Sequence, residues 1–189
     1  GDKIIALFAT HLENINKKKS DFPIITTVMS NIGLENYLLN NLKIKLKRSS
    51  VGDINVINEM KKYKSILGGE QSGHIILSEY SKTGDGILAA LKVMEIISKL
   101  KKSVSSIFNL YKDLPQIKIN ISYKKVSKKC LKYIKDINKK KIKNKNIRVL
   151  IRLSGTEPLI RILVEGQDLK SVKAQAKIIE KQIRINLDK

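Results

Sequence analysis

Hydrophobic positions in the first two thirds of the chain follow two alternating patterns. In some segments apolar residues recur every three or four positions, which predicts amphipathic helices. Between these segments lie short β-branched or alternating runs, which predict strands. Strands that alternate with helices indicate an α/β domain with a mostly parallel sheet covered by helices. The predicted helices are 2–15, 31–42, 53–64, 84–100 and 104–112, and the predicted strands are 22–30, 43–48, 65–69 and 74–80.

The strongest helical pattern in the chain is GDGILAALKVMEIISKL, residues 84–100. Its apolar positions form a broad stripe, as in a helix that packs one side on a core. Asp85 is a candidate N-cap, because its carboxylate can accept from a free backbone N–H of the first turn. The stripe consists of Ile87, Leu88, Leu91, Met94, Ile97 and Leu100.

The pattern changes near Leu114 and Pro115. An alternating strand at 116–123 is followed by a helix at 127–141, two strands at 146–155 and 158–166, and a closing helix at 168–183. The order strand–helix–strand–strand–helix predicts a small α+β domain. We therefore expect two domains, residues 1–113 and 114–189.

The net charge of +21 raises the possibility of a nucleic-acid-binding module. However, 38 basic residues include only five arginines, and the lysines are spread along the whole chain. Ile and Asn are abundant too, and all three residues have AT-rich codons, so genome composition alone can produce this excess. Aromatic residues make up only 5% and form no ladder between basic runs, so a base-stacking surface is poorly supported. Nucleic acid remains the alternative partner from another class.

Composition also bears on the compartment. The chain is 42% hydrophobic and 29% charged, as in globular proteins, and its apolar runs are too short to span a bilayer. No secretory signal is visible at the start. The single cysteine, Cys130, excludes an internal disulfide. A reducing cytoplasm is therefore the expected location.

The first polar loop is GGEQSGH, residues 68–74. Its three glycines allow a tight turn and a close approach of the backbone to a ligand. Its polar side chains offer several hydrogen-bond donors and acceptors, which suits the adjacent hydroxyl groups of a sugar. A hairpin turn with ordinary polar residues remains the alternative. The candidate sugar-binding residues are Glu70, Gln71, Ser72, Gly73 and His74.

The second polar loop is RLSGTEPLIR, residues 152–161. Consecutive amides in its turn can form an anion-binding concavity. If the flanking strands pair, two arginines reach the loop and can form bidentate bonds with a phosphate. Glu157 is poorly placed for an anion and is expected to hold an arginine or the loop. The candidate phosphate-binding residues are Arg152, Ser154, Gly155, Thr156 and Arg161.

Other catalytic patterns are missing from the sequence. No two aspartates lie within four residues of each other, and neither histidine has a partner at zinc spacing. TGDGI, residues 83–87, is too short for a P-loop or a dinucleotide fingerprint.

Several motifs in order resemble the C-terminal half of bacterial phosphoglucosamine mutases, of the α-D-phosphohexomutase superfamily. The motifs are TVMSNIGLENYL, SSVGD, GGEQSGHIIL, TGDGILAALKV, LPQIKINI and VLIRLSGTEPLIRILVEG. The resemblance covers nearly the whole chain. It implies that the chain corresponds to domains three and four of a four-domain enzyme.

The resemblance implies an isomerase that interconverts glucosamine 6-phosphate and glucosamine 1-phosphate, toward UDP-N-acetylglucosamine and peptidoglycan. A phosphoserine in domain one and a Mg²⁺ loop in domain two carry the chemistry, so no catalytic residue and no metal ligand is expected in this chain. Glu70 and Ser72 would hold sugar hydroxyls, and the second loop would hold the phosphate. Without the N-terminal half, which is the expected partner, the chain should be inactive.

One segment departs from the family pattern. The family commonly has VGDRY where this chain has VGDIN, so Ile54 and Asn55 replace an arginine and a tyrosine. A phosphomannomutase or phosphoglucomutase of the same superfamily is the close alternative, since a few contacts decide the choice of substrate.

Overall fold

The computed structural model describes residues 1–15, 22–139 and 147–187. The chain separates into two compact units, Gly1–Asp113 and Leu114–Lys189. In the described ranges, no helix combines the length and the apolar character needed to cross a membrane.

The first unit contains five helices and four short strands in its described residues. The strand order is β2 (Leu46–Ser49), β1 (Ile24–Thr27), β3 (Leu67–Gly69), β4 (Ile75–Leu77), with β1 parallel to β2 and β3 and with β3 antiparallel to β4. The predicted mostly parallel α/β sheet is therefore confirmed. The elements are α1 (Asp2–Ile15), β1 (Ile24–Thr27), α2 (Ile32–Leu42), β2 (Leu46–Ser49), α3 (Asp53–Tyr63), β3 (Leu67–Gly69), β4 (Ile75–Leu77), α4 (Gly86–Leu100) and α5 (Val104–Phe108).

Alternating side chains of this sheet enter two separate cores. Ile24, Leu67 and Ile75 pack with α1, α2, α4 and α5 on one face. Ile25 and Ile76 pack with Val56 and Met60 of α3 on the other face. Because neighbouring residues of a strand point to opposite faces, runs such as Ile24–Ile25 serve both layers.

Local capping explains where several helices begin. Asn31 accepts from Gly33 N at 2.8 Å at the start of α2, and Asp85 accepts from Leu88 N at 2.9 Å at the start of α4, as predicted for Asp85. Asp2, the first residue of α1, accepts from Asn31 N at 2.8 Å.

Only part of the predicted stripe of α4 faces the core, where Leu88 and Ile97 pack against the buried cluster. The buried residues of α4 are Ala89 and Ile96. Ile87, Leu91 and Met94 of the predicted stripe are instead exposed. The predicted stripe was too broad for all of its residues to face one contact surface.

The second unit has the predicted order of elements. Its three-stranded antiparallel sheet has the order β5-β7-β6. The elements are β5 (Gln116–Ser122), α6 (Lys128–Lys139), β6 (Ile147–Leu153), β7 (Leu159–Gly166) and α7 (Leu169–Leu187).

One face of this sheet packs against both helices. Ile151, Ile160 and Ile162 meet Cys130 of α6 and Ile179 of α7 in a single apolar cluster. The strand residues between these isoleucines point to the other face, where the arginines of β6 and β7 lie. The alternation along β6 and β7 thus separates the core from the candidate phosphate site.

The outer edge of β6 is held by a side chain of α6. Asn138 donates to Ile151 O at 2.6 Å and accepts from Ile151 N at 2.9 Å. This pair of bonds satisfies the backbone groups that an edge strand leaves without a neighbouring strand.

Candidate functional site

The first polar loop is the turn of the β3–β4 hairpin. Gly69 pairs with Ile75, Glu70 N donates to His74 O at 2.9 Å, and Gly73 N donates to Glu70 O at 3.0 Å. Gly73 has φ of 107°, a conformation that a residue with a side chain rarely adopts. The turn leaves Ser72 and Gly73 exposed and Gln71 partly exposed.

A second segment lies against this turn. Glu70 Oε1 accepts from Gly52 N at 3.1 Å, and His74 Nε2 lies 3.8 Å from Asp53 Oδ2. Residues 51–53 precede or begin α3, so the helix start and the hairpin turn form one polar surface within the first unit. A Cβ on Gly84 would lie 2.1 Å from His74 Nε2, so Gly84 leaves the space that the imidazole occupies.

The contact between Glu70 and Gly52 was not predicted from the sequence. The SSVGD motif was recognised as part of the resemblance, but nothing in its spacing indicates which later carboxylate it bonds. The two residues that depart from the family pattern differ in their contacts. Asn55 Nδ2 donates to Val51 O at 2.8 Å, and the side chain of Ile54 is exposed. Asn55 therefore holds the turn before α3 together.

The second polar loop connects β6 and β7. Ser154 N donates to Leu159 O at 2.8 Å and closes the turn, which contains Gly155, Thr156 and Glu157. The sequence placed both arginines near the loop only if the two flanking strands pair. β6 and β7 do pair, in antiparallel orientation.

Arg152 and Arg161 lie directly opposite each other on neighbouring strands. Cβ atoms of such cross-strand pairs are about 4.5–5.5 Å apart, so two positive charges share a small area. The Nε atoms of both arginines are buried and have no hydrogen-bond partner among the described residues. Burial lowers the pKa of Arg152, and the neighbouring charge of Arg161 lowers it further.

Only one carboxylate of the loop compensates this pair of charges. Glu157 Oε2 accepts from Arg161 Nη2 at 2.5 Å, as expected for a loop glutamate that holds an arginine. Arg152 has no acidic partner in the part of the chain that the structure describes. The arrangement therefore has one more positive charge than negative charge beside exposed turn amides, which is suited to an added anion.

A third arginine on the same side of the sheet is neutralised. Glu165 is fully buried, its Oε2 lies 3.3 Å from Arg148 Nε, and its Oε1 accepts from Gln116 Nε2 at 3.0 Å. The cross-strand pair of Arg148 and Glu165 is four residues along each strand from that of Arg152 and Arg161. Arg148 therefore belongs to a structural ion pair, whereas Arg152 and Arg161 belong to the candidate anion site.

Residues 1–15, 22–139 and 147–187 contain no group of three or more His, Cys, Asp or Glu residues placed to hold a metal ion.

Comparison with known proteins places both units in one family. The family model "Phosphoglucomutase/phosphomannomutase, alpha/beta/alpha domain III" matches residues 1–114. The model "Phosphoglucomutase/phosphomannomutase, C-terminal domain" matches residues 111–182.

Curated relatives are similar over almost the whole chain. The chain is 41% identical over 194 residues to a phosphoglucosamine mutase of Fusobacterium nucleatum subsp. nucleatum, covering 97% of this chain and 42% of that protein. A phosphoglucosamine mutase of Campylobacter jejuni strain RM1221 is 42% identical over 179 residues, covering 94% of this chain and 39% of that protein. The chain thus spans about two fifths of the length of these relatives.

A solved structure agrees with the fold. The N-acetylphosphoglucosamine mutase of Aspergillus fumigatus, in complex with GlcNAc-6P and magnesium, superposes with a TM-score of 0.77 at 18% identity, covering 99% of this chain and 44% of that chain. At this identity the likeness supports the fold alone. The two family models together match residues 1–182, and the chain therefore belongs to the phosphoglucomutase/phosphomannomutase family, of which it contains domain III and the C-terminal domain.

Proposed function

We propose that this chain is the substrate-binding part of a phosphoglucosamine mutase, which interconverts glucosamine 6-phosphate and glucosamine 1-phosphate. The observation that carries the proposal is the pair of opposed arginines, Arg152 and Arg161, which a single loop carboxylate compensates. The identity of 41% to a phosphoglucosamine mutase supports glucosamine phosphate as the ligand over other hexose phosphates.

The second loop binds the phosphate group of the substrate. Guanidinium groups match the geometry of phosphate oxygens and form charge-assisted bonds of about 1.5–3 kcal/mol each. The Ser154 and Thr156 hydroxyls and the amides around Gly155 supply further donors beside the arginines. Because a phosphomonoester carries two charges above a pH of about 6, the site binds the dianion more tightly than the monoanion.

The first loop binds the sugar. Glu70 uses one carboxylate oxygen for Gly52 N, which fixes the side chain and leaves the other oxygen to accept from a hydroxyl. Ser72 and Gln71 supply donors and acceptors at the tip of the turn. Gly73 keeps the tip free of a side chain, and His74 at the base adds an imidazole. The set distinguishes hydroxyl positions, whereas the phosphate site is indifferent to the sugar.

These residues position the substrate and do not break its bonds. Phosphoryl transfer depends mainly on positioning and on charge stabilisation, so a separate holding site contributes to the rate by orientation. We assign the phosphoserine and the Mg²⁺ ligands of the complete enzyme to domains that this chain does not contain. The chain by itself is therefore a binding module without turnover.

The test is calorimetric titration of the purified chain with glucosamine 6-phosphate and, separately, with inorganic phosphate. Arg161→Gln should weaken binding of both ligands by about tenfold or more, because it removes at least one charge-assisted bond. The matched control is Arg184→Gln: Arg184 pairs with Glu180 on the surface of α7, in the same unit. Equal affinity of Arg161→Gln and the unaltered chain for inorganic phosphate would falsify the assignment of the second loop.

The alternatives predict different titrations. A phosphomannomutase or phosphoglucomutase would favour mannose 6-phosphate or glucose 6-phosphate over glucosamine 6-phosphate. A nucleic-acid-binding module would bind a single-stranded oligonucleotide with a steep dependence on salt, and Arg161→Gln would reduce that binding no more than Arg184→Gln. If oligonucleotide binding is lost at physiological salt, the excess of basic residues results from genome composition and does not mark a nucleic-acid site.

A further inference from the structure

Helix α4 is apolar on two sides. Its inner side, with Ala89 and Ile96, is buried in the first unit. Its outer side carries Ile87, Leu91 and Met94, which are 78%, 59% and 64% exposed. These three residues are four and three positions apart, so they lie on one face of the helix, which we call the α4 outer face.

No charged residue interrupts this face over nearly three turns. Ala90 and Ser98 extend it at helical spacing, and the charged residues of α4 lie beside it, where Glu95 bonds Lys92 at 2.9 Å and Lys99 at 2.5 Å. Helices that are apolar on opposite sides are usually buried between two layers, so the outer face lacks its neighbour here.

We propose that the α4 outer face binds the part of the mutase that precedes domain III in the relatives. The matched domains are the third and the C-terminal one, and more than half of the Fusobacterium protein lies outside the match. In the Fusobacterium protein that portion belongs to the same polypeptide as the matched domains. The inference depends on family membership and is independent of the phosphate and sugar assignments.

A second copy of this chain is a poorer partner for the same face. Each copy carries a net charge of +21, and Lys92 and Lys99 flank the face. Two copies joined through α4 would bring these lysines together and add long-range repulsion. The partner surface must instead be apolar at its centre, and acidic or neutral at its rim.

Cysteine labelling tests the proposal, because the only native thiol does not interfere. Cys130 is fully buried, and burial raises its pKa, so it reacts slowly. Met94→Cys places a single accessible thiol on the outer face. The control is Ile178→Cys, since Ile178 on α7 is 56% exposed. Each variant is labelled with a maleimide in the chain alone and in a chimera that joins the preceding part of the Fusobacterium protein to its first residue.

The chimera should slow labelling of Met94→Cys by about tenfold or more relative to the chain alone, because buried thiols are inaccessible to the reagent. Labelling of Ile178→Cys should be the same in both proteins. Adding Leu91→Lys to the chimera should restore fast labelling at position 94, whereas Leu39→Lys on the exposed side of α2 should not. A covalent joint keeps the effective concentration of the partner high, so weak contact is still detected.

Three results would overturn the proposal. One is equal labelling of Met94→Cys in the chain and in a chimera whose joined part is folded. Another is slower labelling as the concentration of the chain alone rises, which would identify a second copy as the partner. The third is an equal effect of Leu39→Lys and Leu91→Lys in the chimera.

Discussion

Glu157 forms an ion pair with Arg161, and removing its charge gives a sharp test of the phosphate site. The carboxylate bonds Arg161 Nη2 at 2.5 Å and lies in the same turn that we assign to phosphate. Glu157→Gln keeps the size and an acceptor oxygen of the side chain but removes its negative charge. The variant therefore tests whether the Glu157 carboxylate competes with phosphate for the Arg161 guanidinium, while it leaves the size of the side chain in the loop unchanged.

The magnitude follows from the exposure of the pair. The side chains of Arg161 and Glu157 are 36% and 53% exposed, so the pair is a surface ion pair. Such pairs contribute about 0.2–1 kcal/mol to stability. After the substitution, phosphate no longer has to break this pair in order to bind Arg161. At 1.4 kcal/mol for each tenfold change, the affinity for inorganic phosphate should rise by up to about fivefold.

The assay is titration of inorganic phosphate at low and at physiological salt. A matched control exists in the same unit, because Glu180 and Arg184 form an ion pair with the same spacing at 2.7 Å on α7. Glu180→Gln changes the net charge by the same amount but lies on a helix away from the loop. Only Glu157→Gln should raise the affinity beyond the change seen for the control.

Two results would refute this reasoning. If Glu157→Gln weakens phosphate binding, the carboxylate orients the guanidinium and does not compete with the ligand. If Glu180→Gln raises the affinity equally, the effect belongs to overall charge and says nothing about the loop.

Two further predictions concern single contacts. Gly84→Ala should displace the imidazole of His74, because the new Cβ would lie 2.1 Å from Nε2; the NMR signals of His74 should shift while those of His11, the other histidine, stay in place. Unchanged His74 signals would contradict the close approach. Asn138→Asp removes the donor to Ile151 O and should lower the free energy of unfolding by about 0.5–1.5 kcal/mol in urea titrations. Equal stability would show that water satisfies this strand edge without the side chain.

The sequence alone determined the elements, their order and the two polar loops. Periodicity is a local property of the sequence. The spacing of apolar residues was therefore sufficient to predict the strands that flank the turns at residues 68–74 and 152–161. Residue type was sufficient to predict an anion site at the second loop, since few side chains other than arginine match a phosphate with two donors. The family motifs predicted that this chain corresponds to one part of a larger enzyme.

Tertiary structure decided which of these residues meet. Register places Arg152 opposite Arg161 and pairs Arg148 with Glu165, so one arginine pair is left with an excess charge and the other arginine is neutralised. Packing against α1 and β4 decided which side of α4 is buried, although the stripe on the helix allowed more than one choice. Such outcomes depend on distances between segments far apart in the chain, and local spacing carries no information about those distances.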